Sequence, residues 1–311
     1  MNCSIVIRAY NEEKYIGRLL EGIKNQTLTD VEIILVDSGS TDGTVSVAES
    51  FGARIVRIPS AEFTFGRSLN FGVRAATREL VVIASAHVFP VYPDWLESLL
   101  NPFEDQSVAL TYGKQRGPDF AKFSEKQIFH QWYPDVSMPK QETAFCNNAN
   151  AAIRKKIWEQ NPYDETLTGL EDLAWAKWAK EQGHAIAYAA EAEVIHLHNE
   201  TPRGVFNRYR REAMAFKRIH SESHFNVYDF ARLTTTNIIS DLWHAARERV
   251  LWKNLASIFW FRLMQFHGTH MGYRDSSLLT PQLRETFYYA RELKSKKGWK
   301  RDVEPIQYKD E

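Results

Sequence analysis

Two short runs near the start of the chain constrain its fold more than any other feature. Ser4-Ile5-Val6-Ile7-Arg8-Ala9-Tyr10-Asn11-Glu12-Glu13 and Val31-Glu32-Ile33-Ile34-Leu35-Val36-Asp37-Ser38-Gly39-Ser40-Thr41-Asp42-Gly43-Thr44 both begin apolar and β-branched. Each then turns abruptly polar or glycine-rich and is followed by a helical pattern. Strands buried on both faces read as continuous apolar runs of this kind. They belong to parallel sheets, whose C-terminal edges deliver polar groups to a ligand crevice.

The pattern continues in the same sense. Tyr15, Ile16, Leu19, Leu20 and Ile23 share one face at helical spacing, predicting a helix over 13–25. Ser40 or Thr41 can cap a helix over about 43–52 that Gly52 closes, a short strand follows at 53–58, and a helix suits 66–78. Leu80-Val81-Val82-Ile83-Ala84 is an apolar strand ending at Ser85-Ala86-His87. The alternation of strands and helices predicts an α/β fold, a mainly parallel sheet with helices on both faces. Further on, a helix is expected at 94–101, a strand at 107–113 and long loops over 116–147. A strand then runs into a helix at 151–158, a helix spans 171–182, and two strands lie at 185–188 and 192–196. From about residue 203 the character becomes helical, so the expected division is a sheet domain over 1–202 and a helical subdomain over 203–311.

Formal net charge is zero, with 39 basic and 39 acidic side chains, so no global field draws the chain to nucleic acid. Cys3 and Cys146 read as reduced, buried thiols, and no Cys/His spacing suggests a zinc site. The chain opens directly on a strand and contains no apolar run long enough to span a bilayer. The expected location is cytoplasmic, with room for peripheral contact at the inner face of a membrane.

Several residues carry chemistry on their own account. Asp37 sits at a strand end, where a carboxylate accepts hydrogen bonds from a base or ribose; an ordinary capped turn explains it equally well. Glu171 and Asp172 open a helix and face its N-terminal dipole, as simple capping residues also would. His196 and His198 lie on one face of a strand end, which suits metal ligation or phosphate contact.

Taken together these strings resemble family 2 glycosyltransferases over roughly residues 3–200. The Arg8-Ala9-Tyr10-Asn11-Glu12 loop and the Val36–Thr44 loop look like the nucleotide pocket. The resemblance implies that Ala9, Asn11, Glu12 and Asp37 line it. Ser38 stands where many members have a second Asp. Phe65–Ala76 resembles a segment with an Arg-Asn pair; Leu69 occupies the usual Arg position, leaving Arg67 as the candidate phosphate-facing charge. Ser85-Ala86-His87 stands where most relatives carry Asp-x-Asp, which binds a divalent metal bridging the diphosphate. The implied cofactor is a divalent metal, Mn²⁺ or Mg²⁺, held by His87 with His198 or His196. Imidazole suits transition metals better than Mg²⁺. The string around Glu171-Asp172 resembles the acceptor-site motif, which implies Asp172 as general base and Glu171 as an orienting group.

The implied fold is the GT-A type with a helical C-terminal extension. The implied reaction is inverting transfer of a sugar from a nucleoside-diphosphate sugar to a glycan or lipid-linked acceptor, and the motifs look most like bacterial surface-polysaccharide enzymes of the rhamnosyltransferase kind. Two alternatives stand beside it. The altered Ser85-Ala86-His87 motif also suits a catalytically inactive sugar-nucleotide or glycan-binding protein. A nucleotidyltransferase is weakened by the missing N-terminal Gly-rich loop with its following Arg and Lys. On the acceptor side, Gln131-Trp132-Tyr133, Asn147-Asn148 and Trp175 suit sugar stacking or plain loop packing. Arg208, Arg210, Arg211, Lys217 and Arg218 make one helix basic, as a membrane-surface helix or as a packed helix with a solvated face. Leu251-Trp252 and Phe259-Trp260-Phe261 suit a membrane or a homodimer contact, and Lys294–Arg301 reads as a basic tail for lipid headgroups or a mobile end.

Overall fold

The computed structural model describes residues 1–198, 200–274 and 303–308; the basic run Lys294–Arg301 lies outside the described residues. Eight strands form one sheet: β1 (Cys3–Ala9), β2 (Val31–Asp37), β3 (Arg54–Arg57), β4 (Leu80–Ser85), β5 (Val88–Pro90), β6 (Val108–Arg116), β7 (Asn150–Arg154) and β8 (Ala185–His196). Their spatial order is β3-β2-β1-β4-β7-β6-β8-β5. The half β3-β2-β1-β4 is parallel, as the sequence predicts. Beyond β4 the sheet is mixed, because β7 runs antiparallel to both β4 and β6 while β8 runs parallel to β6.

The helices are α1 (Glu13–Lys24), α2 (Thr44–Ser50), α3 (Phe65–Ala75), α4 (Trp95–Leu100), α5 (Phe123–Trp132), α6 (Lys155–Trp158), α7 (Glu171–Glu181), α8 (Pro202–Ile219), α9 (Val227–Arg247) and α10 (Leu251–Arg274). Strand side chains alternate between two cores. Ile5 and Ile7 face one that includes Ile16, Leu19 and Leu20 of α1 and Leu96 and Leu99 of α4. Val6 faces the other, with Leu69 and Val73 of α3 and Trp175 and Ala176 of α7. Each such side chain contributes about 1.5–3 kcal/mol by leaving water. Cys3 and Cys146 are both buried free thiols, and burial pushes the Cys3 thiol up to about 12.

Four local expectations are corrected. Neither Ser40 nor Thr41 caps α2; Gly43 occupies the cap, and Asp42 accepts the Thr44 N–H. Gly52, at φ +77°, does follow the helix end. The region 116–147 is not all loop, since α5 lies within it and buries Phe123, Ser124, Glu125, Ile128 and Phe129. The two expected strands at 185–196 are one continuous strand, β8, whose Glu193 is held by Lys114 and Arg116 of β6. The three-residue β5, absent from the sequence reading, returns antiparallel against its end.

α8 begins at Pro202 and is capped by Thr201, whose hydroxyl accepts the Gly204 N–H. α8, α9 and α10 pack on one another around Phe216, Leu233 and Phe266. A buried pair, Arg262 with Asp241, joins α10 to α9, and the same guanidinium donates to the Ser124 carbonyl of α5. The 303–308 segment returns to the sheet, where Ile306 N–H donates to Val91 and the Tyr308 hydroxyl to Pro90. Among the described residues, no helix is long and apolar enough to cross a membrane.

The approach of α3 to the sheet is set by Gly72. A Cβ there would lie 2.3 Å from Val6 Cγ1 and 2.9 Å from Val36 Cγ2. Gly72→Ala is expected to cost about 1–3 kcal/mol through forced displacement of packed side chains. A thermal melt unchanged from wild type would mean that α3 has room the packing denies it.

Candidate active site

The polar ends of β1 and β2 are zipped to each other by the residues that follow them. Asn11 adopts φ +55°, a conformation that Asn tolerates better than most side chains. Its Oδ1 accepts the Thr41 N–H at 2.8 Å, and its own N–H donates to Ser40 Oγ at 2.9 Å. Glu12 N–H donates to Thr44 Oγ1 at 2.7 Å, and Glu13 accepts the Gly43 N–H at 2.9 Å. Asp37 is buried, and its two carboxylate oxygens accept the N–H groups of Gly39 and Ser40. Gly39 sits at φ +93°, a conformation few side chains tolerate. Buried Ser38 donates its N–H to the Ala9 carbonyl.

Next to these loops three imidazoles converge. β5 pairs Val88 with His196, and Leu197 N–H donates to the His87 carbonyl at 3.0 Å, so the turn after β4 lies against the end of β8. As a result the ring nitrogens of His87, His196 and His198 fall within 4.8 Å of one another. The His196 and His198 ring centres are 4.0 Å apart. Each imidazole has an oxygen at Nδ1: Glu12 Oε1 at 2.8 Å for His87, Gln115 Oε1 at 2.7 Å for His196 and Glu125 Oε1 at 2.7 Å for His198. An Nδ1–H donated to such an oxygen leaves Nε2 with a free lone pair. Burial holds His196 and His198 well below the ordinary imidazole range, with Arg208 and His87 acting in the same direction on both and His198 also on His196, so both are neutral near pH 7. His196 Nε2 is buried and has no hydrogen-bond partner among the described residues. A buried lone pair aimed at two further imidazoles is what a divalent transition metal requires, so the residues fit the metal that the family resemblance implies. The set is less suited to Mg²⁺, which prefers oxygen.

The acidic pair at the start of α7 faces the same sheet edge. Asp172 Oδ2 accepts the Asn148 N–H at 2.9 Å and Oδ1 the Leu173 N–H at 2.8 Å. The neighbouring Ala149 carbonyl accepts the Ser85 N–H at the end of β4. Glu171 lies 3.4 Å from Arg8 Nη1, at the end of β1. Burial, and then the like charge of Glu171, push the Asp172 carboxyl up to about 7; the two N–H donors and Arg8 oppose this without cancelling it. Leu170, at φ +57°, makes the turn that delivers both acids.

Other residues stand differently from their expected roles. Arg67 is engaged by Glu165 at 2.9 Å and Glu62 at 3.2 Å, so its charge is already compensated. The Ala86 methyl is fully buried in the core, as Ala9 nearly is, leaving their backbones as the groups at the sheet edge. Ser85 Oγ sits 3.1 Å from His87 Nε2. Trp175 and Tyr133 are buried core residues, and Trp175 Nε1 donates to the Asn161 carbonyl. Of the basic helix, Arg208 is paired with Glu125 and Glu200, and Arg211 lies 4.7 Å over the Phe65 ring, whose centre is 4.9 Å from Arg8. Arg8, Glu125, Gln115 and Arg208 are the site residues that sequence reading misses. Arg8 was visible inside its motif; the others carry no local signal.

Several known proteins resemble this chain in sequence or in fold. O-antigen chain rhamnosyltransferase RfbN of Salmonella typhimurium is 29% identical over 222 residues, covering 67% of this chain and 70% of that protein. O-antigen chain rhamnosyltransferase WbaN of Salmonella anatum is 30% identical over 199 residues, covering 60% and 62%. A solved mannosyltransferase from Pyrobaculum calidifontis, in complex with GDP-Man and Mn²⁺, superposes with a TM-score of 0.59 at 18% identity over 88% of each chain. S. aureus TarS 1-349 with UDP-GlcNAc superposes at 0.55 and 16% identity over 85% of this chain and 90% of that one. These structures share the fold, an α/β sheet of the GT-A kind carrying additional C-terminal helices. Residues 4–161 match the family described as glycosyl transferase family 2, half of the chain and both loop motifs included, and the chain belongs to that family.

Proposed function

We propose that this protein is an inverting, metal-assisted glycosyltransferase of polysaccharide biosynthesis, moving a sugar from a nucleoside-diphosphate donor to a hydroxyl of a glycan or lipid-linked acceptor. The observation that carries the reading is Asp172, a buried carboxyl raised to about 7 and joined through Asn148, Glu171 and Arg8 to the edge where β1 and β4 end. A purely binding protein has no use for a base poised near the working pH. The O-antigen relatives support a role in surface polysaccharide, with a rhamnosyl-type donor as the first to try.

In this reading the zipped loops with Ala9, Asn11, Glu12, Asp37 and Ser38 hold the nucleotide. Asp172 accepts the proton of the acceptor hydroxyl as that oxygen attacks the anomeric carbon. The bond to the diphosphate breaks as the new bond forms, so configuration inverts. Glu171, steadied by Arg8, keeps the base oriented and holds its proton affinity up. His87, His196 and His198 would hold the divalent ion, which when bound supplies Lewis-acid stabilisation of the departing diphosphate. We assign the sheet domain over 1–202 to catalysis and the helices α8, α9 and α10 to a subdomain on the acceptor side.

Asp172→Asn is expected to lower turnover by about 10²–10⁴-fold while leaving donor binding intact. Nucleoside-diphosphate release with an acceptor panel, beside thermal-shift binding of the donor, measures both. Donor binding by wild type without release under any acceptor would assign the chain to the binding-protein class. Wild-type turnover should climb as pH rises through about 7, as Asp172 loses its proton.

The same carboxyl predicts a stability slope. Folded Asp172 keeps its proton to about 7, whereas the unfolded chain releases it near 3.8. Between those values the folded state binds more protons, so this group's stabilising contribution fades as pH rises, by at most about 1.4 kcal/mol per pH unit. Asp172→Asn removes the slope and should gain stability relative to wild type from pH 4 towards 8. Parallel melting curves for the two proteins across that range would contradict the burial of the carboxylate.

For the histidine cluster, Mn²⁺ and Co²⁺ are expected to raise the melting temperature at concentrations where Mg²⁺ does not. Glu125→Gln, which removes the carboxylate behind His198 and its ion pair with Arg208, should weaken Co²⁺ binding by about 10–100-fold, read by calorimetry. Equal response to Mg²⁺ and Co²⁺ would argue for an oxygen-rich site elsewhere.

A further inference from the structure

The turn joining α9 to α10 exposes large aromatic and basic side chains that the transfer reading leaves unused. On α10, Trp252, Phe259 and Leu263 follow one face at spacings of seven and four, and Trp252 is 85% exposed. On α9, Ile239 and Trp243 do the same one turn apart, at 60% and 54% exposure. Between them come Arg247, Glu248, Arg249 and Lys253, giving three cations against one anion. The Arg247 guanidinium lies 4.6 Å over the Trp243 ring.

These side chains are not exposed for want of a core. Ala245 and Ile258 are buried with Phe123 of α5, and Ile238, Leu242, Val250 and Leu251 pack against them. The turn itself is fixed, with Val250 N–H donating to Ala245 at 2.9 Å and Arg249 at φ +60°. Phe120, 67% exposed, and Lys122 precede Phe123 and so flank the same end of α5.

We propose that the α9–α10 turn is a docking surface for an anionic lipid bilayer. Trp side chains settle at the boundary between headgroups and acyl chains, while Arg and Lys reach out to anionic headgroups. The basic rim decides between a membrane and a second copy of this chain. A two-fold contact would bring one Arg-Lys rim against another, whereas a bilayer bearing negative charge neutralises it. The docking does not rest on the sugar-transfer reading, though it would bear on it. α5 runs from Phe123 beneath the turn to Glu125 at His198, so the surface stands close to the histidine cluster. A lipid-anchored acceptor would meet the site from that side.

The test is co-sedimentation of the full chain with vesicles of phosphatidylcholine alone and with added phosphatidylglycerol, at low and high salt. Wild type is expected to sediment with the anionic vesicles and to be released by salt. Trp243→Ser with Trp252→Ser should lower the partition coefficient about tenfold or more. Arg249→Glu with Lys253→Glu should lower it about fivefold or more per charge, on anionic vesicles only. All four sites are exposed, so unchanged melting curves establish that the variants are folded. No sedimentation of wild type with anionic vesicles at low salt, or binding that both double variants retain, overturns the proposal. So does a dimer in analytical ultracentrifugation that the Trp double variant dissolves, which would give the face to a second copy. Donor binding measured on the same variants should match wild type, separating a failure here from a failure of the transferase reading.

Discussion

The site depends on a three-residue strand. β5 turns the chain back after β4 and pairs with the last residues of β8, and that pairing sets His87 against His196 and His198. Without it, the Ser85-Ala86-His87 turn would end at an open sheet edge. The pairing adds few hydrogen bonds and does not stand alone. Ile306 and Tyr308 bond to Val91 and Pro90, holding the short strand from outside the sheet. A segment far along the chain thus braces the element that positions the first imidazole.

A second constraint is electrostatic. Glu171 and Asp172 are adjacent and both buried, and the like charge of Glu171 adds to burial in raising the cost of ionising Asp172. Arg8 is the cation that offsets this, at 3.4 Å from Glu171, and it is placed by the same β1 whose end bonds to the loop after β2. In the proposed reading, the base on α7 and the donor loop therefore both depend on the placement of this strand. A shift of β1 by one residue would move both, which ties the chemistry to the register Arg8↔Ser85 and Arg8↔Val36.

The parallel half of the sheet was legible because β1 and β4 are buried on both faces and, with β2, give way to glycine and polar residues. α1, α3 and α7 were legible for the complementary reason that their apolar stripes recur at helical spacing. α5 was not. Its inward positions include Ser124 and Glu125, so the periodicity breaks at the residues that hold His198 and accept from Arg262. Polar groups turned inward are a local inconsistency of the kind expected at functional sites. β8 was split in the sequence reading because Ala and Glu fill its middle, residues with weak strand preference, and only the Lys114 and Arg116 partners across β6 make Glu193 at home there. Asp172, Glu171 and the three histidines were named as candidates from sequence, with their roles implied by the family resemblance. Their supporting partners Glu125, Gln115 and Arg208 lie 73, 81 and 83 residues from the groups they hold, beyond any local pattern.

A cluster of imidazoles has a physical consequence for how such a site handles charge. A metal held by two carboxylates has its positive charge largely neutralised by its own ligands. Imidazole ligands neutralise none of it, so a divalent ion held there would keep its charge. The chain restores balance at one remove. Glu12 stands behind His87 and Glu125 behind His198, each at Nδ1, and Arg208 tempers Glu125 in turn. Carboxylates so placed strengthen the imidazoles as donors without occupying ligand positions themselves. Glu12 belongs at once to the loop after β1, where its N–H donates to Thr44, and to this outer ring. If that loop holds the donor as proposed, donor binding and the electrostatics of the histidine cluster are coupled through one side chain.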